Sequence, residues 1–316
     1  MLKYFLKRLG LLIPIVVGVS VVVFVTMRLL PGDVASAMLG NSASASPERL
    51  AQLRAQLGLD RPMHEQYADW VIKAVRGDLG ASMLSSGPVS PEIMRRLPVT
   101  VELALFSIVT AIIIGVPLGV LSAMKQNTAF DVFTRLASLI WLSVPGFWVA
   151  TILVLLASIY VPTWPTLGYV EFKNDPIGNL KTMVLPTIAL SAYVVGGTLR
   201  MTRSAMLEVL RLDYITAARA RGGPERVVVF KHALKNALIP VITLIGLYLG
   251  SLLGGAVLIE TIFTLPGLGK LLIDAIQGRD YPLVQGTVLF LASSVVLVNL
   301  LVDMLYGAID PRVRYD

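Results

Sequence analysis

Six long apolar segments constrain this 316-residue chain more than any other feature of its sequence. They cover residues 9–30, 99–124, 136–160, 183–200, 237–262 and 283–309. An α-helix needs about 20 mostly apolar residues to cross a bilayer. With 55% hydrophobic and 15% charged residues, the chain is also far more apolar than a soluble domain. The sequence therefore predicts an all-α membrane protein with six transmembrane helices.

Five of these segments contain a proline, at Pro14, Pro117, Pro145, Pro186 and Pro240. Neighbouring helices in a membrane bundle can satisfy the backbone groups that a proline frees. Each segment is therefore predicted to be one helix.

The first segment begins like a signal peptide, with Lys3, Lys7 and Arg8 ahead of its apolar run. That run extends from Leu9 to about Val25, which is longer than a typical signal-peptide core, and no small-residue cleavage site closes it. It is therefore predicted to be a retained first span.

The distribution of lysine and arginine predicts the orientation in the membrane. The predicted inner segments are 1–8, 125–135, 200–236 and the tail after 309, and the short outer loops are 161–182 and 263–282. The inner segments hold 15 basic residues, whereas the short outer loops hold four. Since basic loops stay in the cytoplasm, both termini are predicted to be cytoplasmic. The net charge of +7 reflects these loops and does not predict a nucleic-acid partner.

The chain divides into three parts on this pattern. Residues 1–30 form an N-terminal tail and the first transmembrane helix, 31–98 an extracytoplasmic helical loop, and 99–316 a five-helix transmembrane core. The core contains a basic cytoplasmic loop at 201–236. No cysteine is present, which excludes disulfides, thiolate metal sites and cysteine nucleophiles.

The long outer loop carries signals for two helices. In the first, Ser46 is the expected N-cap, Pro47 the first helical residue and Gly58 the stop. The second is "MHEQYADWVIKAV", ending near Gly77. Their apolar residues are Leu50, Leu53, Leu57, Tyr67, Trp70 and Val71. These side chains are expected either to pack onto the membrane domain or to form a docking surface for another protein.

The basic loop is also organised into helices. Asp213 is placed to cap a short helix that runs to Arg221, with Gly222 as its stop. Gly223 then leads to Pro224, the expected first residue of a second helix.

One face of the short helix carries Tyr214, Ala217, Ala218 and Arg221, at helical spacing. A helix of this length is marginal alone, so another surface must hold it. Small alanines allow close approach, which favours a helix seated in a partner's groove. A helix lying on the membrane is the alternative, but this face lacks the large apolar side chains for insertion.

The loop pattern Ala217-Ala218-x-x-x-Gly222 resembles the EAA loop of ABC-importer permeases. The whole chain is similar to the B-type permease of the dipeptide, oligopeptide and nickel importer group, over nearly its full length. The segments that carry the resemblance include "LLPGD", "LGLDRP", "GDLGASM", "LPVTVELAL", "SVPGFW", "DYITAARARG", "HALKNALIPV" and "ETIFTLPGLG". The sequence departs from the general motif at Thr216, where the family has glutamate, and at Pro240, where its distal proline is displaced.

The resemblance implies a function, partners and a coupling site. It implies a permease subunit that forms half of the translocation pathway of an ATP-driven importer in the bacterial inner membrane. The expected partners are a second homologous permease, two cytoplasmic P-loop ATPases, an extracytoplasmic binding protein and membrane lipid. The ATPases, and not this chain, would bind ATP and Mg²⁺. The expected ATPase-coupling residues are Asp213, Tyr214, Ala217, Ala218, Arg221, Gly222, Gly223 and Pro224. Peptides are the expected cargo, although a nickel chelate, glutathione or an opine remains open.

Catalytic chemistry in the chain itself is not predicted. The nearest match to a P-loop, "TLPGLGKLL", has Thr264 and Leu271 where the motif requires glycine and a hydroxyl. The two histidines, His64 and His232, are predicted on opposite sides of the membrane, so they cannot share a serine or metal site.

A self-sufficient proton-coupled carrier or channel is the alternative function. Its signal would be carboxylates in the spans, and the candidates are Glu102, Glu260 and Asp303. Glu102 and Glu260 are equally candidate pathway residues of an importer.

The fifth span carries glycine at every fourth residue, at Gly246, Gly250 and Gly254. Such a stripe permits close helix packing, either within the chain or against the second permease.

Overall fold

A computed structural model describes residues 2–29, 47–56 and 58–309. Across this described part the chain is helical, and one backbone bridge between Ala81 and Pro88 is its only extended pairing. The predicted all-α class is therefore confirmed. The helices are α1 Leu2–Leu29, α2 Pro47–Gln56, α3 Met63–Val75, α4 Val89–Thr110, α5 Val116–Met124, α6 Ala129–Ser143, α7 Gly146–Tyr160, α8 Pro176–Val209, α9 Asp213–Ala220, α10 Glu225–Val227, α11 Leu234–Ile262, α12 Leu268–Gln277 and α13 Tyr281–Ile309.

Five helical stretches in the described residues are long and apolar enough to cross a membrane. They are Leu12–Leu29, Val89–Met124, Pro176–Val209, Glu225–Ile262 and Tyr281–Val302. They coincide with five of the six predicted spans. Several helices continue well beyond the apolar stretch, because polar residues at a helix end can remain helical in water. Helix α8, for instance, begins at Pro176, ahead of the predicted span at 183–200.

The remaining predicted span, 136–160, is not one helix. Helices α6 and α7 meet at an angle of 100°. A proline pushes the preceding residue out of the helical region, and Val144, before Pro145, has φ −83° and ψ 124°. The prediction that neighbouring helices would absorb Pro145 is therefore wrong, and the pair forms at most one broken span.

Two π-helical segments interrupt the ladder of backbone hydrogen bonds. The first, Ala111–Gly115, joins α4 to α5, and the second, Val228–Ala233, joins α10 to α11. Pro117 is the second residue of α5, which follows the first segment, and it has no N–H to donate to the turn behind it. The chain is helical on both sides of each π segment.

The chain forms two compact units, residues 1–98 with 267–296, and residues 99–266 with 297–316. In the first unit, the rings of Tyr67 and Trp70 on α3 lie 5.4 and 6.1 Å from the Phe24 ring on α1. The Tyr67 hydroxyl also makes a 2.7 Å hydrogen bond with that of Ser20. These two aromatic side chains of the predicted outer loop therefore pack onto α1.

Part of the predicted outer-loop helix falls outside the described residues. This applies to the predicted cap residue Ser46, to Leu57 and to the side chain of Leu53. The predictions for these three residues stay predictions.

Helix α12 is a feature of the first unit that the sequence pattern did not predict. Its residues Leu268 and Leu271 are buried together with Val89 and Ile93 of α4 and Leu283 of α13. The amphipathic spacing of those leucines explains why a short helix forms there.

In the second unit, α8 is the central helix, and its apolar stretch is 72% buried. Small residues let its neighbours approach closely. A methyl group on Gly119 of α5 would lie 2.6 Å from Cβ of Thr202, and one on Gly196 of α8 would lie 2.9 Å from the Ser138 carbonyl oxygen of α6. Helices α5 and α6 are thus both held directly against α8.

Candidate functional site

The predicted short helix of the basic loop is present as α9. Its N-cap is Leu212, and Asp213 is the first helical residue, so the prediction that Asp213 is the cap is wrong by one position. From there Asp213 still complements the helix dipole. Gly222 adopts φ +78° and stops the helix, as predicted. Pro224 is the N-cap of α10 and not its first residue.

One narrow side of α9 is buried against the rest of the second unit. Ile215 is fully buried and Ala218 is 7% exposed. Both belong to a cluster, here called the loop cluster, that draws side chains from α5, α8, α9, the second π segment and α11. Its buried members are Val120, Ala123, Ala205, Met206, Ile215, Ala218, Val228, Val229, Ala233 and Ala237.

The opposite side of α9 is exposed and includes Tyr214, Ala217 and Arg221. The predicted contact face of four residues is therefore divided, because Ala218 lies three positions after Ile215 and shares its side. Ile215 is the one large aliphatic residue of α9, and this is the sequence signal that identifies the buried side.

Polar contacts fix α9 to the segment that follows it. Asn236 Nδ2 donates a 2.7 Å hydrogen bond to the Tyr214 hydroxyl. Arg219 donates to both carboxylate oxygens of Glu225, at 2.7 and 3.2 Å across the Gly222–Pro224 turn. That hydrogen bond raises the pKa of the Arg219 guanidinium. The turn itself is tight, since a methyl group on Gly223 would lie 3.1 Å from the Ala218 carbonyl oxygen.

The two candidate pathway carboxylates occupy different environments. Glu260 is fully buried and accepts a 2.6 Å hydrogen bond from the Thr100 hydroxyl. Glu102 accepts a 2.7 Å hydrogen bond from Tyr169 through Oε2, and its Oε1 is buried without a hydrogen-bond partner among the described residues. Burial and this contact raise the pKa of Tyr169.

Residues two apart on an α-helix are separated by about 200° around its axis. Thr100 and Glu102 on α4 therefore point to different sides, and the two carboxylates do not form one site. The side chain of Asp303, the third candidate, lies outside the described part of the structure.

The glycine stripe of α11 divides into two parts. A methyl group on Gly246 would overlap the Val302 side chain of α13, and one on Gly250 would lie 2.6 Å from Asn299 Oδ1. These two glycines pack within the chain. A methyl group on Gly254 would meet no neighbouring element of the described chain within 4 Å, so that side of α11 is open there.

Comparisons with known proteins agree with this architecture. Residues 115–315 match the family described as binding-protein-dependent transport system inner membrane components, and residues 1–104 match the N-terminal part of such components. The dipeptide transport system permease protein DppB of Escherichia coli is 43% identical over 338 aligned positions, covering 100% of this chain and 99% of that protein. DppB of Alkalihalophilus pseudofirmus is 42% identical and covers 100% of both.

A solved structure supports the fold as well. An inward-facing form of the MetNI methionine ABC transporter superposes with a TM-score of 0.57 at 20% identity, covering 69% of this chain and 96% of that one. At this identity the likeness concerns the fold alone.

Proposed function

This chain belongs to the family of binding-protein-dependent transport system inner membrane components, and from that premise we propose that it forms half of the pathway of an ATP-driven importer of di- or oligopeptides. As a member, it is a multi-pass protein of the bacterial inner membrane. The peptide cargo is supported by the two dipeptide permeases that match it over their whole length.

The proposed assembly contains four further proteins. A second homologous permease completes the pathway, two P-loop ATPases bind ATP and Mg²⁺, and an extracytoplasmic binding protein supplies the peptide. In this arrangement the basic segment 200–236 and both termini face the cytoplasm, and 31–98 faces outward.

The exposed side of α9 is the observation that carries the proposal. An eight-residue helix is marginal in isolation, yet α9 buries little more than Ile215 and Ala218 and leaves Tyr214, Ala217 and Arg221 open. Such a helix is suited to a second contact, with the methyl of Ala217 allowing close approach and the flanking side chains supplying an anchor and a charge. We assign that contact to the ATPase.

The buried side of α9 gives this contact a mechanical consequence. The loop cluster joins α9 to α5, α8 and α11 through closely packed apolar side chains. Packed interiors transmit displacement because they have little free volume. Closure of the ATPases on ATP would therefore move the helix ends of the second unit and shift the pathway between inward- and outward-facing states.

Cysteine labelling tests both the orientation and the docking, and the chain offers a clean background because it has no cysteine. Val75→Cys on α3 and Thr216→Cys on α9 place single thiols at exposed positions. Val75→Cys is expected to react with an impermeant maleimide in intact spheroplasts, and Thr216→Cys only after lysis. Thr216→Cys is also expected to cross-link to the ATPase subunit. Labelling in the opposite order, or a cross-link from Val75→Cys instead, would contradict the proposal.

A further inference from the structure

Asp131 is a buried carboxylate that several elements of the second unit share. It lies in the first turn of α6 and is fully buried. Its Oδ1 accepts hydrogen bonds from the Ser122 hydroxyl at 2.7 Å and from Arg203 Nε at 2.6 Å. Its Oδ2 accepts from the Asn127 backbone N–H at 3.0 Å and from Arg203 Nη2 at 2.9 Å. One carboxylate thus joins α5, the α5–α6 turn, α6 and α8.

Stability alone does not explain such a pair. Asp131 is fully buried and the Arg203 side chain is 17% exposed, so forming the pair costs desolvation free energy, and apolar side chains of similar volume are often as good or better. What the bidentate pair adds is geometry, because the planar guanidinium fixes both the distance and the angle between α6 and α8.

On α8, Arg203 is two residues before Ala205 and three before Met206, which are both buried in the loop cluster with Ile215 and Ala218 of α9. A displacement of α9 therefore acts on the same turn of α8 that carries Arg203. Helix α5 likewise contacts both Asp131 and the loop cluster. The Ser122 hydroxyl donates a hydrogen bond to Asp131, and the adjacent Ala123 belongs to the loop cluster.

Helix α6, in contrast, contributes none of its described residues to the loop cluster. It packs on α8 further along, where Gly196 lies against Ser138. Near the end of α8 that leads to α9, the ion pair with Arg203 ties α6 to α8. Thr134 of α6 adds a 2.9 Å contact with the Ser122 hydroxyl of α5. Beyond α6 the chain bends by 100° into α7.

We propose that Asp131 and Arg203 are a positioning pair that passes the movement of α9 on to the bent α6–α7 helices. This role requires no contact between the pair and cargo or nucleotide. It keeps α6 in register with the turn of α8 that the loop cluster moves. The inference rests on the proposed coupling role of α9 and adds the route by which that movement reaches α7.

The test uses the complete importer, purified with its ATPases and reconstituted with its binding protein, and compares peptide uptake with ATP hydrolysis. Arg203→Gln removes the bidentate contact, and Arg203→Lys keeps the charge but not the fork. Arg135→Gln is the matched control, because Arg135 is half exposed and lies 3.9 Å from the same carboxylate.

In Arg203→Gln, we expect the ATPases to remain bound and peptides imported per ATP to fall about fivefold or more, within the range of allosteric couplings. The number of peptides imported per ATP in Arg203→Lys is expected to lie between the values for Arg203→Gln and the wild type. In Arg135→Gln this number is expected to match the wild type. If Arg203→Gln does not assemble, Arg203→Lys decides the question. A wild-type ratio in whichever variant assembles would overturn the proposal, since a purely structural pair changes the yield of complex and not its stoichiometry.

A second readout separates this inference from the function on which it rests. Environment-sensitive dyes are attached to Thr216→Cys on α9 or Leu155→Cys on α7, and spectra are compared before and after trapping with ATP and vanadate. With Arg203 intact, the spectra of the dyes at both positions are expected to change on trapping. With Arg203→Gln, only the spectrum of the dye on Thr216→Cys is expected to change. No response at Thr216→Cys in the wild type would refute the coupling role of α9. A full response at Leu155→Cys in Arg203→Gln would refute only the positioning pair.

Discussion

Replacing Ala217 by tryptophan is expected to weaken ATPase association strongly while leaving the chain inserted and folded. Ala217 is on the exposed side of α9, so an indole there points away from the loop cluster. If the ATPase approaches this face closely, the added ring must be accommodated at the contact. Overpacking of a close contact costs about 1–3 kcal/mol, which corresponds to roughly a 5- to 150-fold loss of association.

Ala218→Trp is the informative comparison, because the same chemical change is made one residue away. Ala218 is 7% exposed and packs in the loop cluster with Ile215. The similar overpacking cost of about 1–3 kcal/mol would fall on the attachment of α9 to its own chain. Since α9 is too short to persist alone, we expect it to detach and unfold locally.

The assay combines three measurements on both variants: the amount of chain in the membrane, ATPase co-purification, and protease sensitivity of the 200–236 segment. Ala217→Trp should lose the ATPase with wild-type protease resistance, whereas Ala218→Trp should lose the ATPase and become sensitive within the segment. Wild-type ATPase co-purification with Ala217→Trp would refute the assignment of the exposed face. Equal protease sensitivity in the two variants would refute the division of α9 into a buried and an exposed side.

Three further substitutions test the packing. Gly246→Val is expected to lower the thermal stability of the isolated chain, because the Val302 side chain occupies the space beside Gly246. Gly254→Val is expected to leave the thermal stability unchanged. Equal losses of stability in the two variants would contradict the division of the glycine stripe. Asp280→Ala should expose the 81–88 loop to proteolysis. The buried Asp280 carboxylate accepts hydrogen bonds from the Ser82 hydroxyl and from backbone N–H groups of the loop. Each donor left without a partner costs about 1–3 kcal/mol. Unchanged cleavage of that loop would show that it is held by other contacts.

The strongest sequence signals predicted the structure well because each has a local cause. Long apolar runs identified five spans, and the "MHEQYADWVIKAV" segment is helical from its first to its last residue. Pro47 is the first residue of α2. Gly222 follows the end of α9 and adopts the left-handed conformation, which glycine adopts without strain. Each of these features depends on a few neighbouring residues, and so it can be predicted from the sequence.

The cap positions at Asp213 and Pro224 are wrong by one residue, whereas the larger errors concern properties that are not local. Whether Pro145 bends a helix or is absorbed depends on its neighbours in space, and here the chain turns by 100°. The side of α9 that is buried depends on the loop cluster, whose members come from distant parts of the sequence. Asp131 and Arg203 are 72 positions apart, and nothing in the sequence alone pairs them.

Helix α12 was missed for a different reason. Its leucines and Ala275 are spaced as in an amphipathic helix, but the segment is short and lies between two long apolar runs. A search for helical periodicity inside the predicted outer loops would have found it.

The central claim is that this chain works as the membrane half of an ATP-driven importer, and gentle solubilisation from its native membrane tests it most directly. The chain is captured by an affinity tag, and the proteins that co-purify are identified by mass spectrometry. We expect a second, homologous permease together with one or two P-loop ATPases. A chain that repeatedly purifies alone under mild conditions, while still transporting peptide in vesicles without ATP, would contradict the claim.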